Sequence, residues 1–166
     1  GWCCLFEDGR GGVFGDFRSG LSTVWTAQCN NRLTPMERAE LACRLAQVKA
    51  QRNTERQHKY SENALRNAAL WARTVPVTEG DPVSRYLRRR GLAGPVPRCL
   101  RLYPELIYWD NSDCGTYPAM IAPLIQIDSQ VLALHRTYLT TDGFKAPVPT
   151  VKKLTGAAGP LAGTSI

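Results

Sequence analysis

The most constraining feature of the sequence is a stretch of about 40 residues, from Met36 to Val75, that contains neither glycine nor proline. Thr34-Pro35-Met36-Glu37 precedes it with the residues of a helix start: a threonine N-cap, a proline at the first helical position and a glutamate that completes a capping box. We therefore predict a helical arm over residues 34–74. At about 1.5 Å per residue it is either one helix of about 60 Å or two helices broken around residues 52–54.

The middle of this arm is polar and basic. Four basic residues recur there at intervals of three, four and three, which places them on one helical face: Lys49, Arg52, Arg56 and Lys59. Such a face suits the phosphate backbone of a nucleic acid. The alternative is a solvated connector whose charge is partly offset by Glu55 and Glu62.

The segment before the arm, residues 1–33, contains three short apolar and aromatic runs separated by Asp8-Gly9 and Ser19-Gly20. This pattern predicts a small antiparallel β-meander. Its aromatic residues either form the core of this small segment or stack on nucleic-acid bases: Trp2, Phe6, Phe14, Phe17 and Trp25.

After the arm, the pattern predicts a short helix and a hairpin within residues 75–156. Asp81-Pro82 starts the helix and Gly91 ends it. Residues 119–128 and the strand that begins at Val131 alternate and then reach Asp142-Gly143, a turn dipeptide. The small, uncharged residues 157–166 resemble a flexible tail or linker. The predicted fold class is therefore α+β, with a mostly antiparallel sheet (meander plus hairpin) and one long helix or helix pair.

The strand after Val131 carries candidate ligand-binding groups. Alternation places Arg136 and Tyr138 on one side and His135 and Thr137 on the other. Because arginine is costlier to bury than neutral histidine, we predict that Arg136 and Tyr138 face outward and that His135 and Thr137 are hydrogen-bonded inside. Three lysines follow the strand closely and extend this candidate surface: Lys145, Lys152 and Lys153.

The formal net charge of +7 is concentrated in residues 81–101, where six arginines stand against Asp81 alone, a local balance of +5. Four of them fall on or just after the predicted short helix and are candidate phosphate ligands: Arg85, Arg88, Arg89 and Arg90. A guanidinium group binds phosphate through two parallel hydrogen bonds, whereas lysine serves solubility equally well. The charge pattern thus indicates a polyanionic partner.

No arrangement of residues indicates catalysis or a resident cofactor. The six cysteines form no Cys-x-x-Cys pair, and the aspartates are scattered over turn-like positions, so neither a zinc site nor a magnesium site is predicted. A hydrolase would need Cys99 or Cys114 beside His135, and no nucleophile elbow marks either cysteine. No apolar run approaches the roughly 20 residues that cross a bilayer, and no secretory signal is found, so we expect a cytoplasmic protein without a membrane partner.

The order of motifs after residue 70 resembles the region that precedes the Toprim domain in plasmid- and phage-encoded DNA primases. The resemblance covers residues 70–156. It rests on these segments: Pro82-x-x-x-Tyr86-Leu-Arg-Arg-Arg-Gly-Leu92, Leu100-Arg-Leu-Tyr-Pro104, Pro118-Ala-Met-Ile-Ala122, Ala133-Leu-His-Arg-Thr-Tyr-Leu139, Asp142-Gly143, Lys145-Ala146 and Lys152-Lys-Leu154.

The resemblance implies a non-catalytic module that binds DNA, with single-stranded template as the expected form, and that works with other replication proteins of a plasmid, phage or integrative element. In that family the catalytic carboxylates, and the Mg²⁺ that they hold, belong to the downstream Toprim segment, which has no counterpart in residues 157–166. Polymerising activity is therefore not expected of this chain alone. The alternative is a regulatory module of a mobile element whose basic helix docks on an acidic protein.

Overall fold

The computed structural model describes the chain except for residues 7, 8, 10, 17, 20, 27–33, 93, 111, 112 and 128, and the side chains of residues 26, 37 and 113. Two compact units divide it, Gly1–Ala50 and Gln51–Ile166. Helix α1 (Pro35–Ala72) contributes its first part to one unit and its second part to the other. The predicted arm is thus one continuous helix and not a pair.

The first unit contains the predicted meander. Strands β1 (Trp2–Leu5), β2 (Gly11–Asp16) and β3 (Leu21–Thr26) pair antiparallel in that order. Glycine is required at position 15, since a Cβ atom there would lie 2.7 Å from the Trp2 ring and 2.5 Å from the Leu21 carbonyl oxygen. The rings of Trp2, Phe14 and Trp25 are each a third or more exposed, so the meander does not enclose them as a core. Phe17 lies outside the described residues.

The second unit is built on a five-stranded antiparallel sheet. Its strands, in spatial order, are β4 (Val75–Pro76), β5 (Arg101–Asp110), β6 (Asp113–Ile125), β7 (Val131–Tyr138) and β8 (Lys152–Leu154). Ala119 pairs with Tyr138 and Ile125 with Val131, which confirms the predicted pairing of these two segments. Together with the helices, the sheets confirm the α+β class.

One face of this sheet carries the larger core cluster. The end of α1 packs Leu70 and Trp71 against a cluster that includes Tyr103, Tyr108 and Tyr138. The amide of Asn67 donates to the carbonyl oxygens of Leu132 and Gly156, at 3.3 and 3.0 Å. These hydrogen bonds between uncharged groups hold the end of α1 against the sheet.

Helix α2 (Pro82–Arg89) packs on the opposite face. The Asp81 side chain accepts a hydrogen bond from the Ser84 backbone N–H at 2.8 Å, and Gly91 follows the helix with a φ of +81°. The predicted start and stop signals of the helix are therefore confirmed. Its apolar residues pack in a second core cluster with Leu102 of β5 and Leu139: Val83, Tyr86 and Leu87.

Residues 157–166 are not a free linker. The backbone N–H of Ala158 donates to the Leu132 carbonyl at 2.7 Å, and Ser165 exchanges two backbone hydrogen bonds with Ile125. Gly159 is buried against Leu132. The expectation of a flexible tail was wrong because backbone hydrogen bonds, which composition does not reveal, fix this segment to the sheet.

No helix in the described part of the chain combines the length and apolar character needed to cross a membrane.

Candidate nucleic-acid interface

Four arginines extend from the solvent side of α2, opposite the residues that anchor this helix in the core. Val83, Tyr86 and Leu87 are buried, whereas Arg85, Arg88, Arg89 and Arg90 are exposed. Because the buried side fixes the helix against the sheet, the four guanidinium groups project from a rigid support. We call these four arginines, together with Phe144, the α2 surface.

Two of these arginines form ion pairs. Arg88 Nη2 lies 2.7 Å from Glu79 Oε1, and Arg85 Nη1 lies 3.9 Å from Asp142 Oδ1. Arg85 also donates to the Thr141 carbonyl at 3.4 Å. All four charged side chains of these pairs are half or more exposed, so we expect each pair to contribute little to stability. Their effect is to restrict the arginine rotamers and to reduce the local positive charge.

The other two arginines contact aromatic rings. The guanidinium carbon of Arg89 lies 3.8 Å from the centroid of the Phe144 ring, and that of Arg90 lies 5.8 Å from the Tyr86 ring. These are cation–π distances, and they leave both charges without a carboxylate partner among the residues that the structure describes. Arg89 and Arg90 therefore retain the positive charge of the α2 surface.

The turn after β7 brings Phe144 to α2. Gly143 has a φ of +78°, which confirms the predicted turn at Asp142-Gly143. A Cβ atom on Gly143 would lie 2.5 Å from the Arg85 Cβ and 2.8 Å from the Tyr86 nitrogen, so only glycine allows the turn to touch the helix backbone. Lys145, which follows Phe144, is exposed.

The predicted facing of β7 was wrong at Tyr138. This side chain is 1% exposed, and its hydroxyl donates to the Ile107 carbonyl at 3.3 Å. Alternation identifies an outer side only when one face of a strand meets solvent, and here the adjacent Thr137 and Tyr138, which point to opposite faces, are both buried. Burial raises the pKa of the Tyr138 hydroxyl. Tyr138 belongs to the core and does not present a ligand-binding group.

The other three candidate residues of β7, which are His135, Arg136 and Thr137, differ in burial and in hydrogen bonding. Thr137 is fully buried, as predicted, but its hydroxyl has no hydrogen-bond partner within the described residues, so the predicted internal bond is absent. Arg136 is half-buried, with Nη2 3.5 Å from the Leu154 carbonyl and a buried Nε that has no partner in the same described part. His135 is half-buried, and this burial, followed by the charge of Lys152, lowers its pKa.

The side chain of Lys153 contacts other residues of the second unit. Its ammonium group donates to the Trp109 carbonyl at 2.7 Å, lies 3.3 Å from Asp110 Oδ2 and stands 4.3 Å from the centroid of the Tyr108 ring. The Tyr108 hydroxyl, and after it Lys153, lower the pKa of Asp110. Because its side chain is only 20% exposed, Lys153 acts as a cross-link between β8 and the end of β5. Lys152, its neighbour, is exposed.

The basic residues in the middle of α1 differ from those of α2. Arg52, Arg56 and Lys59 are all exposed, share one face of the second unit's part of the helix and form no ion pair with another described residue. Glu55, a predicted partner, accepts instead from Gln51 Nε2 at 3.0 Å. We call these three residues the α1 row. Lys49, which is also exposed, belongs to the first unit.

No catalytic constellation appears in the described part of the chain. Groups of three or more histidine, cysteine or acidic residues that could hold a metal ion are not found there. Cys114 lies eight residues along β6 from Ala122, the register partner of His135, which corresponds to about 26 Å at about 3.3 Å per residue. This thiol is therefore too far from the imidazole to be activated by it.

Sequence reasoning identified the arginines of α2 but missed three residues that organise them: Glu79, Asp142 and Phe144. The signal for Phe144 was its place next to the Asp142-Gly143 turn. A residue beside a tight turn that follows a central strand is held at a fixed position on the surface. The signal for Glu79 was weaker, because a loop residue nine positions before Arg88 has no periodic relation to it.

Comparison with known families gives one match. The family model described as "Domain of unknown function (DUF7146)" matches residues 61–164, which include α2, the last turns of α1 and the whole five-stranded sheet. No curated protein and no solved structure matches the chain significantly. The matched region covers more than half of the chain, and the chain therefore belongs to the DUF7146 family.

Proposed function

We propose that this chain is a nucleic-acid-binding, non-catalytic module of a Toprim-type DNA primase, or a stand-alone relative of one, that positions single-stranded template. The observation that carries the proposal is the α2 surface. It presents four exposed arginines on a helix whose other side is fixed in the core, and two of the guanidinium groups have no carboxylate partner among the described residues.

Two further points support the proposal. The motif order that resembles the pre-Toprim region includes α2 itself and the Asp142-Gly143 turn, and these two segments are in contact. Arginine, with a planar group that is weakly hydrated, suits phosphate better than lysine does. In this proposal the Mg²⁺ and the chemistry belong to a Toprim domain, the chain itself holds no cofactor, and the protein acts in the cytoplasm with other replication proteins of a mobile element.

Binding to DNA can be tested directly. Electrophoretic shifts with a single-stranded oligonucleotide and with a duplex of equal length, each from low to high salt, should show binding that weakens steeply as salt rises. The single strand should be preferred. Absence of a shift with either DNA at low salt would refute the proposal.

A second candidate function is docking on an acidic protein, and one observation favours it. Ile107 and Trp109 lie two residues apart on the same face of β5 and are 70% and 69% exposed. Neighbouring exposed apolar side chains are typical of protein interfaces. Poly-glutamate, used as the probe, should then bind more tightly than the oligonucleotide at the same salt concentration. The reverse order would favour the nucleic-acid module.

A further inference from the structure

Phe144 is an exposed aromatic ring attached to the arginine cluster. The ring is 53% exposed, belongs to neither core cluster of the sheet, and has the Arg89 guanidinium 3.8 Å from its centroid. We propose that Phe144 and Arg89 form a stacking platform for one base of a single-stranded nucleic acid. This inference rests on the proposed function and names the residues that contact a base.

The position of the ring is fixed before any ligand binds. Thr140 donates its backbone N–H to the Phe144 carbonyl at 2.8 Å, and its hydroxyl accepts from the Phe144 N–H at 3.1 Å. The preceding Gly143 touches the α2 backbone so closely that no side chain fits between them. A ring on such a support loses little conformational entropy when a ligand stacks on it.

The chemistry of the pair suits a base more than a second protein. A base presents a flat π-face that stacks on phenylalanine and on a guanidinium plane, and neither contact depends on base identity. The phosphates on either side of that base would meet Arg85, Arg88 and Arg90, which extend from the same helix. The base and its neighbouring phosphates thus each have a partner on the α2 surface.

The platform also explains a preference for single strands. In a duplex each base face is already stacked on its neighbours, so a base must be pulled out before it reaches Phe144, at a cost of a few kcal/mol. In a single strand the bases separate more easily. The charge of the cluster attracts both forms, whereas the ring stabilises only the complex with the form whose base face is accessible.

A comparison of two probes separates stacking from phosphate binding. Short oligothymidine and an abasic strand of the same length carry equal phosphate charge, but only oligothymidine has bases. Phe144→Ala should weaken oligothymidine binding about 5- to 150-fold, the usual loss of one base–aromatic stack. The same substitution should leave the affinity for the abasic strand and the salt dependence unchanged. Fluorescence anisotropy titrations measure both.

Three further variants control for other effects. Phe144→Tyr retains an aromatic face and should bind like the parent, whereas Phe144→Leu retains apolar volume alone and should lose affinity as Phe144→Ala does. Trp109→Ala removes another exposed ring, on which the structure places no arginine within the described residues, and should leave binding to both strands unchanged. A thermal melt of each variant confirms that it is folded.

Several outcomes would overturn the inference. It fails if folded Phe144→Ala binds oligothymidine as tightly as the parent does, or if it loses affinity equally for both strands. It also fails if Phe144→Ala weakens binding to poly-glutamate as strongly as binding to oligothymidine, because the ring would then belong to a protein-docking surface. Absence of DNA binding by the parent protein would be a different result, since it refutes the proposed function itself.

Discussion

The two basic groups of the second unit differ in how their charges are held. The arginines of the α2 surface contact a carboxylate or an aromatic ring of the same unit and stand on a helix fixed in the core. The residues of the α1 row are also exposed, but they form no ion pair within the described residues. The row lies outside residues 61–164, which match the family, and the α2 surface lies inside them. The comparison shows that two groups of exposed basic residues in one unit can differ in how their charges are held.

Preorganisation is the property that separates the two groups. A free lysine or arginine loses about 0.5–1.5 kcal/mol of rotamer entropy when it is immobilised at an interface. The arginines of α2 have lost part of that freedom already, through their contacts with Glu79, Asp142 and Phe144. No ion pair with another described residue restricts the α1 row. We therefore expect the α2 surface to dominate binding to a single strand, although Glu79 and Asp142 offset part of its positive charge.

Simultaneous replacement of Arg88, Arg89 and Arg90 by alanine should have the largest effect. We expect the affinity for oligothymidine at low salt to fall roughly 10-fold or more, because two phosphate-binding arginines and the arginine of the stacking platform are lost. Anisotropy titrations measure it. The charge-matched control replaces Arg18, Arg44 and Arg66, which are exposed and lie away from α2 in the sequence. An equal loss in this control would mean that total charge, and not the α2 surface, determines binding.

Replacement of Arg52, Arg56 and Lys59 by alanine should have a smaller effect. Charges outside the contact act through a field that salt screens, so we expect a loss of about two- to threefold at low salt and none at physiological salt. The same titration measures this change. A loss as large as that of the α2 variant would reverse the comparison and make the α1 row the main binding element.

Glu79→Gln should strengthen binding slightly. It removes the carboxylate 2.7 Å from Arg88, and we expect the gain in positive charge to outweigh the lost restriction of that exposed side chain. We expect a gain of about twofold, in proportion to the small free energy of an exposed ion pair. Glu40→Gln is the control, since it frees Arg44 from an ion pair of 2.9 Å on the first part of α1. Equal gains in the two variants would show only that lower negative charge favours DNA.

The smallest effect is the pH dependence of stability that comes from His135. Burial, followed by the charge of Lys152, lowers the pKa of His135 below its ordinary 6.5. The unfolded chain therefore takes up this proton first as the pH falls through 6.5, and the free energy of unfolding decreases until the folded pKa is passed. Urea midpoints at neutral and mildly acidic pH should show this decrease in the parent protein. The decrease in stability should be smaller in His135→Gln. An equal decrease in this variant would show that other groups cause it.

The elements of the fold were largely predictable because their signals are local. Asp81-Pro82 and Gly91 bound α2, and Asp142-Gly143 forms a turn, since capping and positive φ depend on the residues themselves. The facing of β7 was not predictable in this way. Tyr138 is buried because α1 and α2 cover the two faces of the sheet, and the packing of distant elements leaves no trace in a strand's own alternation.

The candidate site likewise has a part that the sequence predicted and a part that it did not. The arginines of α2 were evident from composition, but the ion pair with Glu79 and the stack on Phe144 join segments that are 9 and 55 residues apart, respectively. Such contacts follow from the path of the chain and not from any periodic pattern. The same reasoning applies to Ser165, which pairs with Ile125 and so joins the predicted linker to the end of β6.

The salt dependence of single-strand binding tests the central claim most directly. Log affinity for oligothymidine, plotted against log salt concentration, should fall linearly for the parent protein. Its slope should become shallower by about 1.4 when Arg88, Arg89 and Arg90 are replaced, since the phosphate contacts of Arg88 and Arg90 each contribute about 0.7 to the slope on a single strand. Replacement of the α1 row should change the slope less than replacement of the three α2 arginines does, because the screened charges of the row act only at low salt. An unchanged slope in the α2 variant together with a shallower slope in the α1 variant would contradict the account.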